Sequence, residues 1–336
     1  MEMYYTMGVV ELETRRKIES KKRSNLLNNF AIFISVACIF FSSCKPITAD
    51  TSENQIIQNN PIIVMAIGDI MCNPDNASAF DCQDKAVAKA IESQKPDIVT
   101  LVGDVCHEAT IDCYEKDFDS TFGKFKNIIY PVLGNHDNKE YFFDYFDGIG
   151  KKFGSAGDRD KGYYFFDIGK GDNIWHILAI NSECGISGGC RKGSQQYIQI
   201  EEDLKKNVDK KCSFAFWHKP LYASWPQATE EMRDIYELMY KYGVEFVING
   251  HEHGALVFRA MDASGNFDKM DGVREFIIGT GGAGLILKQD NLPDLEAFDN
   301  DHFGAFKFTL KKNGYDWEFI PVGWFVKPVL GSDTCH

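Results

Sequence analysis

Seven short apolar runs recur along the chain, and they constrain its fold more than any other feature. Each run is rich in β-branched and aromatic residues and is apolar on both faces, as is typical of strands that helices cover on each side. Amphipathic, helix-like segments lie between many of them. This alternation predicts a layered α/β fold. The runs are 62–68, 97–103, 127–134, 173–180, 212–217, 244–250 and 274–280.

The sequence outside these runs indicates one folded domain. After residue 300, the segments FGAFKFTL and YDWEFIPV alternate with period two, which predicts a C-terminal antiparallel hairpin. Residues 45–60 are polar and are predicted to form a tether, and no linker-like segment follows them. We therefore expect a single domain over 61–336. The predicted helical segments are 83–94, 114–126, 194–207 and 228–242.

The acidic charge balance argues against nucleic acid as a ligand. Lys and Arg number 36 against 49 Asp and Glu, for a net charge of -13. A chain this acidic lacks the basic face that nucleic acid requires, so we expect no nucleic-acid partner. A small phosphorylated substrate remains compatible with this charge if bound cations reverse the local field.

The first 44 residues have the pattern of an export signal. A basic stretch precedes an apolar run at 30–43, which is shorter than the about 20 residues that span a membrane and fits the apolar region of a secretory signal. The run ends in FSSC and resembles a bacterial lipobox, which favours lipid attachment at Cys44. Cleavage nearby and a short uncleaved anchor are the alternatives. We expect an exported outer-membrane or cell-surface lipoprotein, or a periplasmic or secreted protein if Cys44 carries no lipid.

Cysteine usage agrees with export. Eight cysteines remain after residue 44, and an even number in an exported chain favours disulfides. Short spacings suggest the pairs Cys72–Cys82, Cys106–Cys113 and Cys184–Cys190, although other pairings stay open. The absence of a CxxC pair from the sequence argues against a thiolate zinc site.

Polar residues of unusual type follow five of the predicted strands. Open α/β sheets bind ligands at the carboxyl ends of their strands. A mixture of carboxylates and imidazoles there suits first-row metals such as Mn, Fe or Zn. Any one of these residues would mean little, but their coincidence predicts a metal site. The residues are Asp69, Asp104, Asn135, His136, His218, His251 and His253.

Five motifs in this order closely resemble the calcineurin-like metallophosphoesterase family. They are GDI (68–70), GDVCH (103–107), GNHD (134–137), FWH (216–218) and GHEH (250–253). The family usually begins D-x-H, but Met71 occupies the histidine position. The purple acid phosphatase branch also lacks that histidine and supplies a tyrosine from GDxxY, where this chain has His107. The resemblance implies a four-layer α-β-β-α sandwich with the C-terminal antiparallel hairpin.

The resemblance also implies two divalent or mixed-valence metal ions (Fe, Mn or Zn) bridged by Asp104. One ion would take Asp69, Asp104, His253 and His107, and the other would take Asp104, Asn135, His218 and His251. A metal-bridging hydroxide would attack phosphorus in line. His136 would bond the phosphoryl oxygens or protonate the leaving group.

Three other residues carry open alternatives. His107 is expected to bind metal. Because a neutral imidazole lacks the charge of a phenolate, the protein should then be colourless or weakly coloured. The alternative is that His107 points away from the metals, because its neighbour Cys106 would be held in a disulfide. Asn181, at the end of a predicted strand, is a candidate for the substrate pocket. His302 is a weaker pocket candidate, with a surface-loop role as the alternative.

The function expected from these features is an exported, dinuclear, metal-dependent phosphatase that hydrolyses phosphomonoesters. One alternative is a phosphodiesterase or nucleotidase with the same metals. The other is a catalytically silent surface-binding protein that keeps the fold, against which the complete ligand set argues.

Overall fold

Two β-sheets packed face to face form the centre of the molecule, and helices cover the outer face of each. The computed structural model describes residues 60–71, 82–107, 110–149, 156–209, 212–224, 226–286, 292–323 and 328–336. The predicted export signal with Cys44, the tether up to residue 59 and Cys72 lie outside the described residues. Among the described residues, every helix is too short or too polar to span a bilayer.

The first sheet has six strands and mixes parallel with antiparallel pairing. β1, β2 and β3 are parallel neighbours. The C-terminal strands are antiparallel to β1 and to one another, so the predicted hairpin is confirmed and a further edge strand follows it. The strands are β1 (Ile62–Ile67), β2 (Ile98–Leu101), β3 (Ile129–Pro131), β11 (Gly304–Lys311), β12 (Gly314–Pro321) and β13 (Leu330–Thr334), in the order β13-β12-β11-β1-β2-β3.

The second sheet has seven strands. Its centre consists of the parallel strands β5, β6, β7 and β9. β4 and β8 pair antiparallel with the two edges of this centre, and β10 pairs antiparallel with β8. The strands are β4 (Tyr164–Lys170), β5 (Asn173–Ala179), β6 (Cys212–Phe216), β7 (Phe246–Asn249), β8 (Ala255–Met261), β9 (Val273–Ile278) and β10 (Leu295–Asp299), in the order β10-β8-β9-β7-β6-β5-β4.

The helices lie on the two outer faces. α1, a π-helical segment and α3 pack on the six-stranded sheet, while α4 and α5 pack on the seven-stranded sheet. The side-chain oxygen of Ser194 caps α4 by accepting from the N–H of Tyr197. The helices are α1 (Asp84–Ser93), α2 (Asp119–Thr121), α3 (Lys139–Ile149), α4 (Gln195–Lys206) and α5 (Arg233–Lys241), with the π-helical segment at Cys113–Phe118 and 3-10 turns at Gly123–Phe125 and Glu230–Met232.

The main core lies between the sheets and is largely aromatic. Phe246 stacks on Phe214 and on Phe308, each at a ring-centroid distance of 4.9 Å. Alternate residues of the same strands face outward into the helices, as Met65 does toward α1 and Val247 toward α5. Strands buried on both faces explain why the runs are continuously apolar. The four-layer α-β-β-α arrangement is confirmed.

Some predicted elements differ from those observed. The run 127–134 contributes only the three residues of β3, since 127–128 lie in a turn before the strand and 132–134 lie after it. The helical segment 114–126 is split into π-helical, α-helical and 3-10 turns. β4, β8, β10 and β13 were not predicted from sequence. Each of these four is antiparallel to its neighbours, so the strand–helix alternation does not signal it.

Three disulfides are described. The predicted pairs Cys106–Cys113 and Cys184–Cys190 are confirmed. Cys82 is disulfide-bonded, and its predicted partner Cys72 lies outside the described residues. The third bond, Cys212–Cys335, joins the start of β6 to the C-terminal segment across a sequence separation of 123.

Candidate metal centre

The loops after five strands bring the predicted residues to one rim. The loops after β1 and β2 run side by side, since the N–H of Asp69 donates to the carbonyl of Gly103 at 3.1 Å. Loops of the two sheets also meet, because the N–H of His251 donates to Asp69 Oδ2 at 3.0 Å. The residues at this rim are Asp69, Asp104, Asn135, His136, His218, His251 and His253.

The backbone at this rim is crowded and strained. Asp69, Asp104 and His251 have left-handed φ values of 55°, 49° and 70°. A Cβ added at Gly134 would lie 2.1 Å from Asp104 Oδ1, so only glycine allows this approach. Unfavourable backbone conformations of this kind persist where surrounding contacts hold them, and they concentrate at functional sites.

Asp104 lies at the centre of the rim and is almost fully buried. Its Oδ1 accepts a hydrogen bond from the N–H of His136 at 2.8 Å, and its Oδ2 lies 3.2 Å from His218 Nε2. Burial alone would raise the pKa of Asp104, but the charge and hydrogen bond of His218 outweigh it and hold this pKa well below its usual value. Asp104 is thus an anion with its two oxygens directed to different neighbours.

Two groups of metal-binding atoms share Asp104. In the first group, one oxygen of Asp104 and one ring nitrogen each of His218 and His251 lie within 4.8 Å of one another. In the second group, Asp104, His107 and His136 meet the same distance limit. A shared carboxylate between two donor groups is the arrangement that holds a pair of cations.

Asn135 and His253 extend these two groups. Asn135 Oδ1 lies 3.0 Å from His218 Nε2, on the side of the first group. His253 Nε2 lies 3.3 Å from Asp69 Oδ1, and its ring centroid is 6.0 Å from that of His107, on the side of the second group. All seven predicted rim residues and His107 therefore lie together.

Backbone carbonyls set the tautomer of two of the histidines. His218 Nδ1 donates to the carbonyl of Val102 at 2.9 Å, and His253 Nδ1 donates to that of Gly284 at 2.5 Å. In both rings Nε2 is left facing a carboxylate. Metal-binding histidines are commonly oriented in this way by a hydrogen bond to the other ring nitrogen.

Two buried atoms test whether the residues fit metal ions. Within the described part of the chain, His107 Nε2 is buried without a hydrogen-bond partner, and the buried Asp69 Oδ1 has only His253 Nε2 beside it, at 3.3 Å. Buried polar atoms are otherwise almost always paired, because leaving one unsatisfied costs about 1–3 kcal/mol. A carboxylate oxygen and an imidazole nitrogen are suitable ligands for Fe, Mn or Zn. The residues therefore fit the metals that the sequence predicts.

Comparison with known proteins agrees with this geometry. A family model described as calcineurin-like phosphoesterase matches residues 62–255. The chain belongs to this family. As predicted, it is a phosphoesterase-type hydrolase by family and is related to the purple acid phosphatase branch.

Individual proteins are similar to the chain in sequence or in fold. The chain is 27% identical over 195 residues to purple acid phosphatase 15 of Arabidopsis thaliana; the match covers 47% of this chain and 35% of that protein, about a third of its length. A purple acid phosphatase from yellow lupin (Lupinus luteus) has a similar fold, with a TM-score of 0.59 at 19% identity over 81% of this chain and 54% of the other. GAP50, the inner-membrane-complex anchor of Plasmodium, aligns with a TM-score of 0.63 at 13% identity over 82% and 90%.

Two positions depart from the family pattern, and the structure shows where each side chain lies. Met71, at the usual histidine position, is buried in the core beneath α1. His107, at the tyrosine position of the branch, lies against His136 with ring centroids 3.9 Å apart. The alternative that the disulfide at Cys106 turns His107 away is wrong. Metal binding by His107 stays a prediction.

The two weaker pocket candidates are engaged within the protein. Asn181 is fully buried: its Nδ2 donates to the carbonyl of Lys161 at 3.0 Å and its Oδ1 accepts from the N–H of Glu183 at 2.9 Å. These contacts assign Asn181 to holding two rim loops, with no surface left for a substrate. His302 lies in the loop before β11, and its Nδ1 is 3.0 Å from Asp299 at the end of β10. Substrate binding by His302 stays a prediction.

Sequence reasoning missed Asp137, whose carboxylate accepts hydrogen bonds from the loops that carry Asp104 and Asn135. Its Oδ1 accepts from the N–H groups of Val105 and Cys106 at 3.0 and 3.1 Å and from the Tyr114 hydroxyl at 2.6 Å, and its Oδ2 accepts from Gly134 N–H at 2.9 Å. Burial raises the pKa of Asp137 to about 6. Its place directly after His136 in GNHD was the available signal.

Proposed function

We propose that this protein is an exported, dinuclear, metal-dependent phosphatase that hydrolyses phosphomonoesters. The observation that carries the proposal is the pair of donor groups that share Asp104. Asn135, His218 and His251 would hold one cation with Asp104. Asp69, His107 and His253 would hold the other with Asp104, and His136 of the second group would face the substrate. The ions would be divalent or of mixed valence.

The bound cations would supply Lewis-acid polarisation of the phosphoryl group and a water nucleophile of lowered pKa. The protein itself provides a fixed negative centre, because Asp104 is buried and ionised. His136 is exposed at the rim, and its backbone N–H is tied to Asp104, so its ring can reach a bound ester. We assign His136 to bonding the phosphoryl oxygens or protonating the leaving alkoxide.

Export and anchoring belong to the same proposal. Structural disulfides persist in oxidising compartments, and the chain has bonds at Cys106–Cys113, Cys184–Cys190 and Cys212–Cys335. The signal-like first 44 residues agree with export. We propose a lipid anchor at Cys44, with a periplasmic or secreted protein as the outcome if mass spectrometry finds that cysteine unmodified or removed.

The decisive experiment measures metal content and turnover together. We expect about two metal ions per chain by mass spectrometry and hydrolysis of p-nitrophenyl phosphate that chelation abolishes. Asp104→Asn should lose activity by about a hundredfold or more, because one substitution weakens both metal sites.

Other outcomes have distinct meanings. Faster hydrolysis of bis-p-nitrophenyl phosphate than of the monoester would favour a phosphodiesterase. A folded wild-type chain with neither metal nor turnover would overturn the proposal and favour a surface-binding role.

A further inference from the structure

The turn that carries His251 and His253 is strained. His251 has a left-handed φ of 70°. The N–H of Glu252 donates to the carbonyl of Gly250 at 2.9 Å, and the N–H of Gly254 donates to that of Glu252 at 2.8 Å. Two successive hydrogen bonds that each span only two residues make a tight backbone. Contacts outside the turn must hold it in this form.

Glu252 supplies such a contact. Its side chain is buried, with 3% of the residue exposed. Its Oε2 accepts from the N–H of Ser224 at 2.8 Å, and its Oε1 accepts from the Ser224 hydroxyl at 2.6 Å. Both oxygens are therefore bonded to one residue of the loop that follows His218.

The loop that contains Ser224 is itself anchored. The N–H of Lys219 donates to the Ser182 hydroxyl at 2.9 Å. The N–H groups of Leu221 and Tyr222 donate to the buried carboxylate of Glu275 at 3.1 and 3.3 Å. Ser224 is thus a fixed point to which Glu252 can tie the turn.

We propose that Glu252 is a positioning residue of the metal centre. By its two bonds to Ser224 it holds the strained turn in the form that directs His251 toward Asp104 and His253 toward Asp69. One side chain would therefore control a ligand of each metal ion. This inference rests on the proposed function, because it requires that the histidines bind metal.

The test measures zinc affinity of the folded full chain by competition with a chromophoric chelator, below the unfolding temperature of every variant. Glu252→Ala is expected to weaken zinc binding about tenfold or more, in the range seen when partners of metal ligands are lost. Ser224→Ala removes one hydrogen bond and should weaken it about fivefold. Glu252→Gln keeps the shape and an acceptor oxygen and should restore most of the affinity.

Glu275→Gln is the matched control. It alters a buried carboxylate that anchors the same loop but bonds to neither Ser224 nor the histidines, so we expect a lower unfolding temperature and a much smaller loss of zinc affinity than in Glu252→Ala. An equal loss of affinity in this control would show that loop stability alone governs binding and would overturn the proposal.

Two failures can be told apart. If the wild-type chain binds no zinc, the proposed function fails and this inference fails with it. If the wild-type chain binds zinc and folded Glu252→Ala or Ser224→Ala binds it equally tightly, only the positioning role of Glu252 is overturned.

Discussion

At the scale of single residues, His107 marks a difference from the purple acid phosphatase branch that the chain resembles. Its ring lies beside Asp104 and His136, where the branch has a tyrosine. A neutral imidazole offers no phenolate charge transfer, so we expect the iron-loaded wild-type protein to be colourless or weakly coloured. His107→Tyr should gain a visible absorption band, recorded after aerobic purification, and His302→Tyr should not. A strong band in the wild type that survives purification would contradict this.

At the scale of elements, His176 joins a hairpin to a helix. Its ring on β5 lies 2.9 Å from Asp167 on β4 and 2.6 Å from Asp203 on α4. Burial lowers the pKa of His176, but the two carboxylates outweigh it and raise this pKa above its ordinary value. Folding therefore takes up a proton. The stabilisation is complete below about pH 6.5 and is lost as the pH rises through the raised folded-state pKa.

This linkage predicts the behaviour of a substitution. His176→Asn should lower the free energy of unfolding by about 1–2 kcal/mol more at pH 6 than at pH 10, because the ring is charged toward the two carboxylates only while it is protonated. The difference is no larger than this because Asp167 is partly exposed and solvent screens its charge. Denaturant unfolding of both proteins at the two pH values measures the difference. A cost independent of pH would show that the ring acts by packing alone.

At the scale of the whole molecule, the disulfide Cys212–Cys335 closes the longest described covalent loop, with a sequence separation of 123. It joins the start of β6 to the C-terminus, at the end of that strand away from His218. Replacing both cysteines by alanine should lower the free energy of unfolding by about 4 kcal/mol, mainly because the unfolded chain gains freedom. Metal content and turnover should persist below the new unfolding temperature. Loss of metal from the folded variant would contradict this separation of stability from the site.

Local sequence determined much of this protein. The continuous apolar runs predicted strands buried on both faces, because consecutive residues of a strand point to opposite faces and all of them are apolar here. Residues that end neighbouring parallel strands lie at one edge of a sheet, which was enough to place Asp69 and Asp104 together. His218 follows a strand of the other sheet, so its place at the same rim was expected from the family resemblance. Closely spaced cysteines such as 106 and 113 were paired correctly, since few residues separate them.

Tertiary structure decided the remainder. The antiparallel strands β4, β8, β10 and β13 and the bond between Cys212 and Cys335 depend on which distant segments become neighbours, and a local pattern does not identify the partner. The same reason applies to the tie between Glu252 and Ser224, which are 28 residues apart. It also applies to Asn181, whose side chain is used inside the protein. Burial of a polar group is decided by what packs over it, and only the folded chain supplies that neighbour.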